Sequence, residues 1–347
     1  MSSDLLEAWR RLRQSNPDLS SPFFCPEFIL AVAEARDGVR IAVIEDNGSI
    51  AGFFPFQADR EGFGKPVGAP MSDYHGIISS PGFQCEIMDL MRACGLSAWD
   101  FDHLVVSQQC LSKFQRRIES SPLIDLTDGF AAYTRERRAA GSMLFNEIAR
   151  KSRRVEHDAG KLRFVVNDAS DDVFRHVLSW KSAQYAQSMW DDILAKPWVL
   201  NTLTRIRATD TPAFAGMFSV LYAGDAPIAG HFGMRSETVW HYWFQAYEPE
   251  WRRYSPGQIL LYKLAEAAPG IGIRVIDLGK GQALYKDRFK NGDAHVAEGS
   301  VERGAFLRLG RKVGRNVHKI AKSTLNNTAL ERPARELIAR LRGSPAG

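Results

Sequence analysis

The segment IDLGKGQALYKDRFKNG carries side chains that suit acid–base and charge-stabilising chemistry. Asp277 ends a predicted strand, glycines open a turn, and Tyr285 and Lys286 follow on a predicted helix. A lysine ammonium can stabilise an anion that develops during a reaction, although the same pattern also fits a solvated lysine on an exposed helix face. Asp277 is expected to support the site, by orienting Lys280 or by capping the turn, and not to act as a base. Lys286, Tyr285 and Asp277 are therefore candidate catalytic residues.

The segment SDYHG places three polar side chains, Asp73, Tyr74 and His75, next to one another before a glycine that permits a sharp bend. Histidine titrates near neutral pH, which suits proton transfer, but a loop histidine is also commonly a structural hydrogen-bonding group. His75 is therefore a candidate catalytic residue. Asp73 is another, or it binds the hydroxyl or amine of an acceptor. Tyr74 is a candidate substrate contact.

The strand-to-helix turn RRYSPGQ has the composition of an anion-binding site. Backbone N–H groups at the start of a helix are unpaired and lie at the positive end of the helix dipole, so they can bind phosphate. Glycine allows close approach, arginines add charge-assisted hydrogen bonds, and proline stiffens the turn. The same residues also fit an ordinary turn with solvated arginines. If the turn binds a diphosphate, the contacts are expected from Arg252, Arg253, Tyr254, Ser255, Pro256, Gly257 and Gln258.

An internal repeat indicates two related lobes. The hairpin signals VIEDNGSIAGFF and VLYAGDAPIAGHF share a short string, and the turns SSPGFQCEIMDLMRACG and YSPGQILLYKLAEAAPG follow them in the same order, each before a strand. The first turn contains Glu86 and Asp89 and follows no arginine, so only the second is expected to bind phosphate. We predict a first lobe over 1–140, a helical linker over 141–160, a second lobe over 161–304 and a basic helical tail over 305–347.

Composition excludes an integral membrane protein. The 347 residues carry a net charge of +5, with 45% hydrophobic and 24% charged residues, and no run reaches the roughly 18 apolar residues of a membrane span. The start MSSDLLEAWRRLRQ lacks the apolar core of a secretion signal, so we expect a cytoplasmic protein. Four cysteines without CxxC spacing predict core thiols, and neither a disulfide nor a metal site. The basic amphipathic tail either packs on the body or contacts an anionic membrane surface or nucleic acid.

Each lobe combines an antiparallel hairpin with a strand, helix, strand unit, which predicts a mixed α/β (α+β) sheet that splays beside the helix. This order of elements resembles the two-lobed branch of the GNAT acyltransferase superfamily. The segments that carry the resemblance are GDAPIAGHFGM, HYWFQAYEPEWRRYSPGQILL, IDLGKGQALYKDRFKNG and APMSDYHGI. That branch includes CelD-like proteins of polysaccharide biosynthesis and, more distantly, the Fem aminoacyl ligases. The resemblance extends to about Gly304 and implies tandem GNAT lobes, an acyl-CoA donor such as acetyl-CoA at RRYSPG, and an acceptor amine or hydroxyl. One glycine stands where the superfamily has a glycine-rich loop, which leaves the CoA contact open.

The resemblance also implies contacts for the acceptor. It places the helix LSWKSAQYAQSMWDDILAKPW beside the acceptor groove, with Lys181 and Tyr185 as candidate substrate contacts. Lys286 with Phe289 resembles the lysine and phenylalanine pair of the Fem ligases, in which a cation faces the reacting carbonyl or a departing phosphate.

The strand HYWFQAY offers two further candidate substrate contacts, Tyr242 and Gln245. Its aromatic side chains could stack on a sugar, although aromatic residues on strands more often belong to the core. His231 and His241 lie on neighbouring strands, where each is either packed among aromatic residues or, if it faces the wedge, a base.

Three functions remain open. An acyl-CoA-dependent N- or O-acyltransferase acting on a sugar or an envelope polysaccharide precursor is favoured by the single phosphate-binding turn and the duplication. A Fem-like transferase using aminoacyl-tRNA would account for the basic runs, and is the one reading with a nucleic-acid partner. A non-catalytic partner in polysaccharide biosynthesis would account for the unusual glycine loop.

Overall fold

The computed structural model describes residues 1–188 and 191–304. Residues Met1–Val301 form one compact unit, and a second unit, Glu302–Gly347, is described only as far as Gly304. The predicted basic tail over 305–347 therefore lies outside the described residues. None of the described helices is both long enough and apolar enough to cross a lipid bilayer.

Twelve strands of the described residues form one mixed sheet. They are β1 (Val39–Asp46), β2 (Ser49–Ala58), β3 (Phe63–Lys65), β4 (Ile78–Ser79), β5 (Ala98–Val105), β6 (Gln115–Asp125), β7 (Leu162–Val165), β8 (Ala215–Ala223), β9 (Ala226–Arg235), β10 (Val239–Tyr247), β11 (Val275–Asp277) and β12 (Gly292–Glu302). Their order is β1-β2-β3-β5-β12-β6-β11-β10-β9-β8-β7, with β4 paired to β2. The expected mixed α/β class is confirmed.

The α-helices connect and cover these strands. They are α1 (Ser3–Ser15), α2 (Pro26–Ala35), α3 (Ile87–Ala93), α4 (Phe130–Ala139), α5 (Leu144–Ala159), α6 (Asp171–Ser188), α7 (Pro197–Arg207), α8 (Pro256–Ala267) and α9 (Leu284–Phe289). A 3₁₀ helix, Pro249–Tyr254, leads directly into α8.

The two halves of the chain share strands across the middle of the sheet. β6, from the first half, lies between β11 and β12 of the second half, and pairs antiparallel with both. β12 in turn lies next to β5 of the first half. The sheet is therefore continuous through the predicted junction, while the predicted lobe boundaries stay a prediction.

Both predicted hairpins are present. β1 pairs with β2, and β8 pairs with β9. Asn47, Gly48 and Gly224 adopt positive φ angles of 50°, 75° and 57° at the two turns, which is the backbone that tight hairpin turns need and that asparagine and glycine tolerate. The Asn-Gly and Gly-Asp pairs thus account for the hairpins locally.

The sheet opens between β10 and β11. These strands pair in parallel over only three positions, ending at His241 opposite Asp277, and β10 then continues to Tyr247 after β11 has ended. On its other side β10 pairs with β9, with a register irregularity between His241 and Phe244. A bulge of this kind bends a strand and increases its twist, so the two strands diverge from the His241 position onward.

Apolar side chains cover both faces of the second-half sheet. Alternate residues of β8 enter two separate cores, and every residue of the strand is buried. The predicted linker 141–160 contains α5, whose apolar face (Leu144, Phe145, Ile148 and Val155) packs in the same core as α8. All four cysteines are free; Cys25 is buried in the core, and the other three are half-buried and pack against a core cluster.

Candidate active site

An aspartate and a histidine meet at the apex of the opening between β10 and β11. The Nε2 of His241 lies 2.9 Å from the Oδ2 of Asp73. His241 is fully buried, whereas the side chain of Asp73 is 23% exposed. The indole N–H of Trp243 donates to the carbonyl of Met71 at 3.0 Å, which holds the SDYHG loop of the first half against β10. The structure therefore brings two segments together that lie far apart in the sequence.

Asp73 is ionised at neutral pH. Burial acts to raise the pKa of this carboxyl, but the hydrogen bond from His241, with smaller electrostatic contributions from His241 and His103, lowers it overall. The Nε2 of His103 lies 3.6 Å from the second carboxylate oxygen of Asp73, and its Nδ1 lies 3.1 Å from Asp102, whose side chain is 55% exposed. A row of neighbouring carboxylate and imidazole side chains thus leads from the apex of the opening to the protein surface.

Asp277 supports the site by capping a turn, one of its two expected roles. Its carboxylate accepts hydrogen bonds from the hydroxyl of Ser121 and the N–H of Gly279, both at 2.8 Å, and from the hydroxyl of Tyr74. It does not orient Lys280, whose ammonium donates to the Asp102 carbonyl at 2.7 Å. Tyr74 is buried, and its hydroxyl donates a hydrogen bond to Asp277. It therefore makes a structural contact in place of the predicted substrate contact.

Lys286 lies inside the site and is not the solvated lysine of the alternative interpretation. It is 9% exposed, and its ammonium donates to the carbonyls of Gly279 at 2.8 Å and Lys280 at 3.0 Å. Burial lowers the pKa of Lys286, while the carboxylates of Asp73 and Asp277 act to raise it. Two of the three ammonium protons are bonded, which leaves one for a ligand.

His75 has a structural environment, which argues against its expected role as a base. It is buried, its Nε2 lies 2.9 Å from the carbonyl of Ser72, and its Nδ1 accepts the backbone N–H of His103 at 3.3 Å. Burial above all lowers its pKa to about 3, so the ring is neutral. His75, Asp102 and His103 each present one potential metal-ligand atom, all within 4.8 Å of one another. Both ring nitrogens of His75 are already engaged, which argues against a metal ion.

Helix α6 places two predicted substrate contacts near the same opening. The ammonium of Lys181 lies 5.1 Å from the ring centre of Tyr185. Burial, and then the charge of Lys286, lower the pKa of Lys181 to about 8. Burial also raises the pKa of Tyr185 to about 12, with further contributions from Asp192 and Asp73. Both side chains are therefore within electrostatic reach of the apex.

The remaining candidate residues lie on β9 and β10, and they occupy either the core or the neighbourhood of the RRYSPG turn. Tyr242 is 4% exposed and stacks on His231 with ring centres 4.3 Å apart, so it is a core residue and not a substrate contact. The Nε2 of His231 accepts the N–H of Trp243 at 3.1 Å, which leaves His241 as the histidine at the opening. Gln245 lies beside Gly257 of the RRYSPG turn.

The RRYSPG turn begins α8 with a residue in the left-handed region. Ser255 has φ 54° and ψ 55°, an uncommon backbone for a residue other than glycine. Its carbonyl accepts the N–H groups of Gln258 at 3.0 Å and Ile259 at 3.3 Å. With Pro256 lacking an N–H, Gly257 contributes the first-turn amide without a backbone partner among the described residues. The turn thus offers fewer bare amides than its composition suggests.

Cations surround this turn. Arg252 and Arg253 are exposed, and the ammonium of Lys151 on α5 donates to the hydroxyl of Ser255 at 2.7 Å. Tyr254 is buried and its hydroxyl bonds with Asp158 and Arg253, so its predicted ligand contact is replaced by a structural one. Sequence reasoning did not find Lys151. The only signal for it is the position of the basic face of α5 opposite the apolar face that packs near α8.

Comparison with known proteins assigns the part of the chain that carries the turn. Residues 142–287 match the family model described as an acetyltransferase (GNAT) domain. This segment is therefore similar to the acetyltransferase domains of the GNAT family. A search of curated proteins gives no match.

Solved structures show that the GNAT-like fold extends over both halves. The C-terminal domain of a putative lysylphosphatidylglycerol synthetase from Agrobacterium fabrum is 11% identical, with a TM-score of 0.54 over 87% of this chain and 95% of that one. FemX is 10% identical, with a TM-score of 0.55 over 85% and 94%. A tandem GNAT protein from the clavulanic acid pathway is 11% identical, with a TM-score of 0.50 over 87% and 96%. At these identities the likeness concerns the fold.

Proposed function

We propose that the protein is an acyl-CoA-dependent N- or O-acyltransferase with acetyl-CoA as the simplest donor. The observation that carries this proposal is the opening between β10 and β11, which has Asp73 and His241 at its apex and leads along β10 towards the Ser255 turn. From His241 to Tyr247 the strand spans roughly 20 Å at about 3.3 Å per residue. An extended pantetheine arm can lie along that span with its diphosphate at the start of α8.

The residues at the turn fit a diphosphate. Lys151, Arg252 and Arg253 provide positive charge, and the amide of Gly257 lies at the positive end of the α8 dipole. A Cβ atom at Gly257 would lie 3.3 Å from the side-chain oxygen of Gln245, so the glycine keeps the backbone close to the strand. A bound acyl-CoA would supply the activated acyl group.

The residues of the candidate site have distinct roles in the proposed reaction. Asp73 accepts the proton of the acceptor amine or hydroxyl, and His241 holds that carboxylate in place by donating from Nε2. The free ammonium proton of Lys286 stabilises the negative charge that develops on the thioester oxygen. Burial raises the pKa of Tyr285 to about 12, so its hydroxyl stays protonated and can donate to the departing sulfur. Asp277 fixes the turn that positions Lys286.

For the acceptor we propose a sugar or an envelope polysaccharide precursor in the cytoplasm, as the CelD-like resemblance implies. A second candidate, aminoacyl transfer from tRNA, draws support from the basic face of α5 and from Lys286 followed by Phe289. Phe289 is fully buried, and its carbonyl accepts the hydroxyl of Tyr133 at 2.6 Å, so it anchors α9.

Calorimetric titration with acetyl-CoA tests the donor site. Arg253→Glu and Lys151→Glu are each expected to weaken binding by about tenfold or more, because each removes a charge-assisted contact and adds repulsion. Lys263→Glu, which makes the same charge change further along α8, is the matched control and should bind as the wild type does. Absence of acetyl-CoA binding to the wild type would refute the proposal, and salt-dependent binding of aminoacyl-tRNA in that case would favour the second candidate.

A further inference from the structure

Lys181 is a partly buried cation with no anionic partner among the described residues. It lies on α6 near the opening, and its ammonium is 5.1 Å from the ring centre of Tyr185. Lys286, by comparison, donates two hydrogen bonds to carbonyls and lies near two carboxylates. The two lysines thus have different environments within one site.

Within residues 1–188 and 191–304, no carboxylate forms an ion pair with Lys181, and the two nearby carboxylates have other partners. Asp73 is bonded to His241, and Asp192 bonds with the hydroxyl of Ser182 and the N–H of Leu194. The charge that acts most on Lys181 is the like charge of Lys286. A desolvated ammonium that faces another cation is unfavourable unless an anion joins it.

We propose that the acceptor substrate carries an oxyanion, a carboxylate or a phosphate, which binds the ammonium of Lys181 while the acceptor amine or hydroxyl faces Asp73. This inference rests on the proposed acyltransferase function and narrows its substrate class. The acceptor is then a molecule with a nucleophile at one end and a negative charge at the other, such as an acidic or phosphorylated sugar.

Tyr185 supplies a second donor for the same group. Residues four apart on a helix lie on one face, so Lys181 and Tyr185 both face the opening from α6. The hydroxyl of Tyr185 stays protonated at neutral pH, and it has no hydrogen-bond partner among the described residues. An ammonium and a neutral hydroxyl together suit an oxyanion, which accepts hydrogen bonds from both.

The test follows oxyanion binding at Lys181 directly. Carbon-13 NMR of lysine ε-carbons, with the Lys181 signal assigned by its loss in Lys181→Arg, is recorded during titration with inorganic phosphate and with acetate. The titrations use Arg253→Glu protein, so that phosphate bound at the RRYSPG turn does not contribute. We expect a saturable shift of the Lys181 signal with one or both anions, whereas Lys263, which pairs with Glu266 on the surface, should respond only as it does to sodium chloride at equal ionic strength.

Calorimetry of the same anions gives the second readout. Lys181→Met should weaken binding at least tenfold, and Lys181→Arg, which keeps the charge, should stay within about fivefold of the unsubstituted protein. An equal response of Lys181 to chloride, or unchanged anion binding in Lys181→Met, would overturn the proposal. Because the experiment needs no CoA, a failure of the oxyanion site beside normal acetyl-CoA binding leaves the proposed function intact.

Discussion

Acidification is expected to destabilise the fold through two buried neutral histidines, His75 and His231. His75 has its pKa lowered to about 3, and that of His231 lies well below its ordinary value of 6.5, in both cases mainly because of burial. The unfolded chain binds protons at these rings below pH 6.5, whereas the folded protein does not. The free energy of unfolding therefore decreases as the pH falls through the unfolded pKa.

The size of the loss in unfolding free energy follows from the lowered pKa of the histidines. Between pH 7.5 and pH 5, His75 removes about 2 kcal/mol from the free energy of unfolding, and His231 adds to this loss. That is a large part of the roughly 5–15 kcal/mol that stabilises a typical domain. The lowered pKa values of Asp73 and Asp102 act in the same direction, but only below about pH 4, so this pH range reports on the histidines.

Urea unfolding at several pH values measures how the free energy of unfolding changes with pH. His231→Gln keeps an acceptor for the backbone N–H of Trp243 but cannot titrate, so it should reduce the pH dependence. His157→Gln changes an exposed side chain and serves as the control. A loss below about 1 kcal/mol between pH 7.5 and pH 5, or an unchanged slope in His231→Gln, would refute the reasoning.

Three further predictions concern the site. Asp73→Asn keeps an acceptor for His241 but removes the base, so kcat should fall by about 10²–10⁴ while the Kd for acetyl-CoA stays unchanged; a fall in kcat below threefold would contradict the role. Gly279→Ala forces a Cβ onto a residue with φ 75°, 3.4 Å from the Asp73 carboxylate, so a loss of about 1–2 kcal/mol in urea unfolding is expected together with lower kcat. Titration with zinc should leave the melting temperature unchanged because both ring nitrogens of His75 are engaged; a saturable rise that His103→Ala abolishes would contradict this.

Local patterns in the sequence were enough to predict the elements of the fold. The repeated strand, glycine-containing turn and strand predict both hairpins, and the proline and glycine of RRYSPG predict the start of α8. These features depend on neighbours within a few residues, and backbone preferences act at that range. The segments SDYHG and IDLGKGQALYKDRFKNG were also recognised from residue type alone.

Which of those side chains meet was decided only by the tertiary structure. The pairing of Asp73 with His241 depends on the first-half loop lying against β10, and the contact of Lys151 with Ser255 depends on how α5 packs beside α8. The interleaving of β6 between β11 and β12 has no local signal either. His75 and His241 are both buried and differ in their hydrogen-bond partners, and burial makes Lys286 an internal cation. Burial and these partners depend on residues distant in the chain.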